Sequence, residues 1–410
     1  MGRHKQWALL SAVIGGLCIG ALTTTSPGSA DEPRRGRADS NESVETSPMQ
    51  VEPRQRTPAH LEGFDPLRHE VVGERVVSEL PAGRRAVLTI DPRLQAHLES
   101  ELARYEVPYG SVVALEPRSG RVLAYVSHSS ANPTAPDLAR DATPPTASVF
   151  KVITGAALID AGVSPDERVC YSGGSSRLTA AHLDQTDGNR CTTLSEAMGG
   201  SVNAVFARLA DRHLDAPTLT RYAEAFGFGH ALPFDVPLPA SPAEVPTERL
   251  EMARTAAGFW HMHMSPMHGA LIAATIANDG QMPRAGIVDR VEAPDGSVLH
   301  RFEPSVFRNV IPRGTARQVN AMMQTTVSRG TARRTFHDQR GTAFLPGIAV
   351  AGKTGSLSAE RPYRGYTWFV GFAPADDPKI AVAALVVNTP RWRIKASYVA
   401  REALRNYLLR

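Results

Sequence analysis

The sequence predicts an α/β protein of the α+β type: a mixed, mainly antiparallel sheet flanked by helices, with an all-α subregion in the middle. Three observations lead there. Strand-like runs gather toward both ends of the chain, the long stretch between them has helical patterning, and no internal repeat divides it. Strands so far apart in sequence can share one sheet if helices pack over its faces.

The chain opens with Arg3, His4 and Lys5, an apolar stretch from Trp7 to Leu22, and small residues ending Gly28-Ser29-Ala30 before Asp31. Residues 1–30 are therefore expected to be a signal peptide or signal anchor, which places the chemistry outside the cytoplasm, in a periplasmic or extracytoplasmic space. The apolar stretch is shorter than the eighteen or so residues of a membrane span and is weakened by Gly15, Gly16 and Gly20, so cleavage and anchoring by residues 7–22 both stay open. Cys18 reads as a buried thiol of the signal, because Leu17 stands where a lipoprotein signal carries a small residue. Residues 31–70, rich in Pro, Ser, Glu, Asp and Arg, are expected to be a disordered linker. Residues 71–410 then form one domain.

Within that domain, RAVLTIDPRLQAHLESELARY reads as a strand followed by an amphipathic helix that starts near Pro92. SVVALEPRSGRVLAYVS reads as a hairpin turning at Pro117-Arg118-Ser119-Gly120. PPTASVFKVITGAALIDAG has Pro-Pro-Thr ahead of an apolar run stopped by Gly162, the start and stop of a helix of about four turns. GIAVAGKTGS, YTWFVGFAP and KIAVAALVVN are strand-like, and ASYVAREALRNYLLR closes the chain as an amphipathic helix.

A net charge of +4 over 410 residues, with Arg scattered among Asp and Glu, carries no nucleic-acid signature. Outside the signal the cysteines are Cys170 and Cys191. An even pair in an exported chain is expected to form a disulfide, and two isolated Cys make neither a C-x-x-C motif nor a four-ligand metal set.

The chemistry concentrates on Ser148 and Lys151. Three residues apart on a helix they come within hydrogen-bond reach, and Val149, Phe150, Val152, Ile153, Ala156 and Ile159 make that helix apolar on nearly every side. Burial disfavours the ammonium form, so Lys151 is poised to take the hydroxyl proton of Ser148 and turn an inert alcohol into a nucleophile. Chance alone supplies an S-x-x-K about 0.3 times, given five lysines and ordinary Ser usage, so the pair needs company. Lysine scarcity supplies some. Nearly all of the 45 basic residues are Arg, whose guanidinium cannot act as a base, and the near-copy Ser305-Val306-Phe307-Arg308 is assigned no role for that reason.

Ser201-Val202-Asn203 follows Gly199-Gly200 and leads into the helical run AVFARLADRHL, with Ser201 suited to relaying a proton and Asn203 to fixing a substrate amide. Ser130-Ala131-Asn132 has the same spacing, so this motif by itself is weak. Lys353-Thr354-Gly355-Ser356 occurs once, on a strand-like run. Its ammonium and hydroxyls suit a carboxylate, and the Ser356 N–H suits an oxyanion opposite that of Ser148. His261, His263 and His268 in HMHMSPMH invite a metal. Their Met-rich surroundings and the lack of a carboxylate in the cluster favour a core segment, so no metal or cofactor is expected. Trp260 and Trp368 are expected in the core as well.

SVFK, SVN and KTGS, in that order, resemble the penicillin-binding protein transpeptidase family, whose motif set is shared with serine β-lactamases. The resemblance extends to LTIDPRLQ, VVALEPRSGRVLAYVS, ARTAAGFWHMHMSPMHGALIAATIANDGQMPRAGIV and TWFVGFAPADDPKIAVAAL, most of the chain from about Ala86 onward. It implies a β-lactamase/transpeptidase-like fold, with Ser148 as the acylated nucleophile, Lys151 as its base, Ser201 and Asn203 as the second motif, and Lys353, Thr354, Gly355 and Ser356 as the substrate-binding elements. It further implies peptidoglycan stem peptides ending in D-Ala-D-Ala as substrate, β-lactams as covalent inhibitors, and cell-wall synthesis proteins as partners. The acyl group passes to an amine in a transpeptidase and to water in a D,D-carboxypeptidase. The nearest rival, a secreted serine β-lactamase, is disfavoured: no E-x-x-N follows Ser201, Asn203 replaces the Val of the class D pattern, and no Y-x-N occurs. A β-lactam sensor would need more membrane passes than one short apolar stretch provides.

Overall fold

The computed structural model describes residues 57–410 apart from 176 and 186, so the expected signal, its anchor alternative and the linker as far as residue 56 lie outside the described residues. The main sheet has five strands, ordered Ala351–Glu360, Tyr363–Ala373, Ile380–Asn388, Tyr109–Leu115 and Val122–His128, all antiparallel to their neighbours. The C-terminal strands and the N-terminal hairpin thus share one sheet, and Ala351–Glu360 forms one of its edges.

Both faces of this sheet are covered, and the period-two geometry of a strand sorts its side chains between them. From Ile380–Asn388, Ile380, Val382, Ala384 and Val386 meet the Pro92–Arg104 and Ala396–Leu408 helices, while Ala381, Ala383, Leu385 and Val387 meet the central helices. Burial on two sides explains why this strand reads as a continuous apolar run rather than an alternating one. The Pro266–Ala277 helix is buried over almost its whole length, and Gly269 lets it approach the sheet. A Cβ there would stand 3.1 Å from the Ala383 Cβ.

The Arg84–Leu88 strand belongs elsewhere. It sits in a second five-stranded antiparallel sheet, ordered Glu70–Val72, Arg75–Leu80, Arg84–Leu88, Val288–Glu292 and Val298–Arg301. Its partner Val288–Glu292 lies about two hundred residues away, a pairing that local patterning cannot reveal.

Two expectations need correction. The linker was expected to run to residue 70, but a short 3₁₀ turn at Ala59–Leu61 already packs, with Leu61 and Phe64 buried in the core. Two apolar anchors suffice there, and the surrounding Pro and charged residues hid them. Trp260 was expected in the core, whereas it is 43% exposed. It follows Gly258, whose φ of +83° turns the chain outward, while Trp368 is buried as expected. The neighbouring histidines part company: His261 Nε2 meets Glu251 at 3.0 Å, and His268 is buried between Ser241 Oγ and the Phe226 carbonyl. Among the described residues no helix is long and apolar enough to cross a membrane.

Candidate active site

Ser148 sits in a 3₁₀ turn, Ala147–Phe150, that runs directly into the Lys151–Asp160 helix. The turn that bears Ser148 is therefore tighter than the continuous α-helix expected from the sequence. Ala147, just before Ser148, adopts a φ of +49°, a left-handed conformation that costs a non-glycine residue about 1–2 kcal/mol. Neighbours hold it there. Thr146 N–H donates to the Met262 carbonyl at 2.8 Å, and Trp368 Nε1–H donates to the Pro145 carbonyl at 2.8 Å.

Lys151 is fully buried, and its Nζ lies 3.0 Å from Ser148 Oγ and 2.6 Å from Asn203 Oδ1, with the Ala257 carbonyl as a third partner. Burial holds its amine well below the usual lysine range, and the nearby Lys353 charge pushes the same way. A neutral amine beside the hydroxyl is what proton abstraction requires.

Ser201 caps the Leu194–Gly200 helix in a left-handed conformation, φ +55°, and Asn203 begins the Asn203–His213 helix. The reversal between the two helices brings both side chains to the cleft. Ser201 Oγ accepts from Lys353 Nζ at 2.9 Å. Asn203 was expected to fix a substrate amide. Here its Oδ1 accepts a hydrogen bond from Lys151 Nζ and its Nδ2 donates to the Ser175 carbonyl at 2.6 Å, so both ends are engaged by the protein.

Lys353 lies on the edge strand, also fully buried, and desolvation lowers its pKa to about 7. Its ammonium points to Ser201 Oγ and the Thr354 carbonyl, behind the cleft surface. Thr354, Gly355 and Ser356 form that surface, with Thr354 Oγ1 2.6 Å from Thr331 Oγ1. A Cβ on Gly355 would sit 3.1 Å from the Thr146 carbonyl and from the Ala147 Cβ, so glycine lets the strand close against the turn that bears Ser148.

The result is a cleft of about 610 Å³ lined by Ser148, Ser201, Asn203, Thr354, Gly355 and Ser356. A second arm of about 310 Å³ leaves Ser148 toward Ser175, Phe259 and Leu357. Three sequence motifs separated by about fifty and one hundred and fifty residues thus meet around one hydroxyl. The sequence reading missed Ser175, the Ala257 carbonyl, Gly258 and Thr331. Three of these act through backbone groups or through the absence of a side chain, and only Gly258, as the stop of the Arg249–Ala256 helix, left a trace in the sequence. Cys170 and Cys191 are joined, pairing across the ribbon of Arg168–Tyr171 and Arg190–Thr193.

A two-faced antiparallel sheet whose edge strand closes a Ser-Lys site defines a serine acyl-transferring protein, and the chain belongs to the penicillin-binding protein transpeptidase family, whose domain model matches residues 110–408. Among particular relatives, it is 30% identical over 348 residues to the peptidoglycan D,D-transpeptidase PbpA of Mycolicibacterium smegmatis, covering 75% of this chain and 68% of that one. It is 28% identical over 327 residues to the stage V sporulation protein D of Bacillus subtilis, covering 73% and 49%. The crystal structure of PBPA from Mycobacterium tuberculosis superposes with a TM-score of 0.68 at 26% identity, over 80% of this chain and 83% of that one. The imipenem acyl-enzyme complex of the same mycobacterial protein gives 0.66 at 27% identity, over 80% of each.

Proposed function

We propose that this chain is a peptidoglycan D,D-transpeptidase that works through an acyl-enzyme on Ser148. The observation that carries the reading is the fully buried Lys151 amine, 3.0 Å from Ser148 Oγ and further held by Asn203. The names of the relatives, and the imipenem acyl-enzyme formed by the mycobacterial structure, support the same reaction class.

In the first half-reaction Ser148 Oγ attacks the carbonyl carbon between two D-alanines while its proton passes to Lys151 Nζ. Backbone N–H groups of Ser148 and Ser356 face the developing oxyanion. The C–N bond breaks, the terminal D-alanine leaves with a proton relayed through Ser201, and the ester on Ser148 remains. In the second half-reaction an amine of a neighbouring stem peptide attacks that ester, giving up a proton and regenerating the hydroxyl. Thr354 and Ser356 hydroxyls hold the substrate's terminal carboxylate, with the Lys353 charge behind them. The edge position of Ala351–Glu360 adds a further element, since an extended peptide can lie along its unpaired side as an additional strand.

We further assign residues 1–30 to export, so that the domain faces the peptidoglycan. Intact-mass spectrometry with benzylpenicillin tests the reading. Wild type is expected to gain one penicilloyl group that persists, and Ser148→Ala none. Rapid turnover of the drug without a lasting adduct would point to a β-lactamase instead, and an adduct on Ser148→Ala would move the nucleophile elsewhere.

A further inference from the structure

Asn203 holds the Lys151 amine, but Asn203 needs holding itself. Its Nδ2 is fixed by the Ser175 carbonyl, on the loop between Tyr171 and Arg190. That loop also forms part of the wall of the cleft's smaller arm, through Ser175. What fixes the loop is the remaining question.

One side chain answers it. Arg208, five residues along the same helix as Asn203, is 2% exposed, and its guanidinium donates to the Cys170 carbonyl where the loop begins and to the Gln185 carbonyl near its end. Among the described residues no carboxylate pairs with this cation, and its Nε has no partner. A buried guanidinium compensated by carbonyls alone is an expensive way to fill space, because an apolar side chain of similar volume avoids the desolvation. Its return is a fixed fork that reaches two chain segments at once.

The other contacts agree. Gly174 packs so closely on the same helix that a Cβ would lie 2.8 Å from the Ala204 Cβ. Inside the loop, Ser172 N–H donates to Gln185 Oε1 at 2.9 Å, and Asn189 N–H to Ser172 Oγ at 3.0 Å. The Cys170–Cys191 disulfide ties the base of the loop.

We infer that Arg208 is a positioning residue for acylation: by clamping both ends of the 171–190 loop it sets the Ser175 carbonyl, which sets Asn203, which sets the Lys151 amine beside Ser148. The inference rests on the Ser148–Lys151 reading above for its catalytic half, while the clamp itself stands apart from it.

The test uses the full chain carrying Arg208→Met, which keeps bulk and removes the donors, and Arg208→Lys, which keeps one. Hydrogen exchange of peptides from 171–190 reads the clamp, and the benzylpenicillin acylation rate constant, with adduct stoichiometry and Tm, reads its effect on the site. Arg208→Met is expected to exchange faster in the loop and acylate at least tenfold more slowly per active site, at full stoichiometry. Arg208→Lys is expected to recover part of both. Unchanged loop exchange overturns the clamp. An unchanged rate constant, or a loss confined to stoichiometry and Tm, overturns the positioning role and leaves Arg208 structural. Should Arg208→Met not fold, Arg208→Lys with wild-type exchange and rate overturns the inference by itself. A wild type that forms no adduct refutes the Ser148 reading and the catalytic half together, and the exchange result still decides the clamp.

Discussion

Gly258→Ala probes how tightly Ser148, the proposed nucleophile, is held. Gly258 ends the turn after the Arg249–Ala256 helix with a φ of +83°, and an added Cβ would lie 2.3 Å from the Ala147 carbonyl oxygen and 2.9 Å from the Ser148 Cα. Two costs follow. The left-handed backbone strains alanine by about 1–2 kcal/mol. The contact must also open by about 1 Å to reach ordinary van der Waals separation, and the opposing atoms are backbone, which cannot rotate away. Ala147 is itself held at φ +49°, so the displacement passes to Ser148 and lengthens its 3.0 Å contact with Lys151. A shift of about 1 Å at a reacting group costs on the order of 10²-fold in rate. The assay is the second-order rate constant of benzylpenicillin acylation beside Tm by calorimetry. A fall of about 10²-fold, with a Tm lowered by several degrees, is expected. A variant that acylates at the wild-type rate would refute the claim that the Gly258 backbone sets the nucleophile's place.

Lys151→Met should lower the acylation rate by about 10²–10⁴-fold, the usual worth of a positioned general base, while adduct mass and site stay the same when one forms. An unchanged rate in stopped-flow acylation would remove Lys151 from the base role. Lys353 predicts a pH dependence of stability. Its folded pKa of about 7 lies below the 10.5 of an ordinary lysine, so between those values the unfolded chain binds the proton that the folded chain has released, and stability from this group rises with pH. Below about pH 7 both states are protonated and its contribution is level. Urea unfolding from pH 6.5 to 9.5 should show a shallower rise in Lys353→Met than in wild type. Equal slopes would mean that Lys353 is not desolvated in the folded protein.

Much of the main sheet was legible in the sequence because its elements obey local rules. The hairpin turns at Gly120 with φ +77°, and the Pro92–Arg104 helix is capped by Asp91 and opens with proline. What stayed hidden was set by contacts between distant segments. The second sheet depends on Arg84–Leu88 finding Val288–Glu292, and the ordered turn at Ala59–Leu61 depends on two buried side chains in a stretch whose composition suggests a linker. At the site, the motif residues were legible as residue types at fixed spacings. Their partners were not: the Ser175 and Ala257 carbonyls have no signature, since any residue supplies a carbonyl.

The site is also where the chain breaks its own local rules. Lys151, Lys353 and Arg208 are buried with no carboxylate paired to any of them among the described residues, and Ala147 and Ser201 hold left-handed backbones without being glycine. Each of these features carries a cost to the fold. Buried cations cost desolvation, two neighbouring lysines repel, and the strained backbones are held by their surroundings. Lys151 resolves the conflict by giving up its proton, and an amine that has given up its proton is a base. A carboxylate placed beside Lys151 would relieve the instability and restore the ammonium, and with it end the proton transfer. The missing counter-charge is therefore part of the proposed chemistry, and the well-packed sheet beneath the site carries its cost.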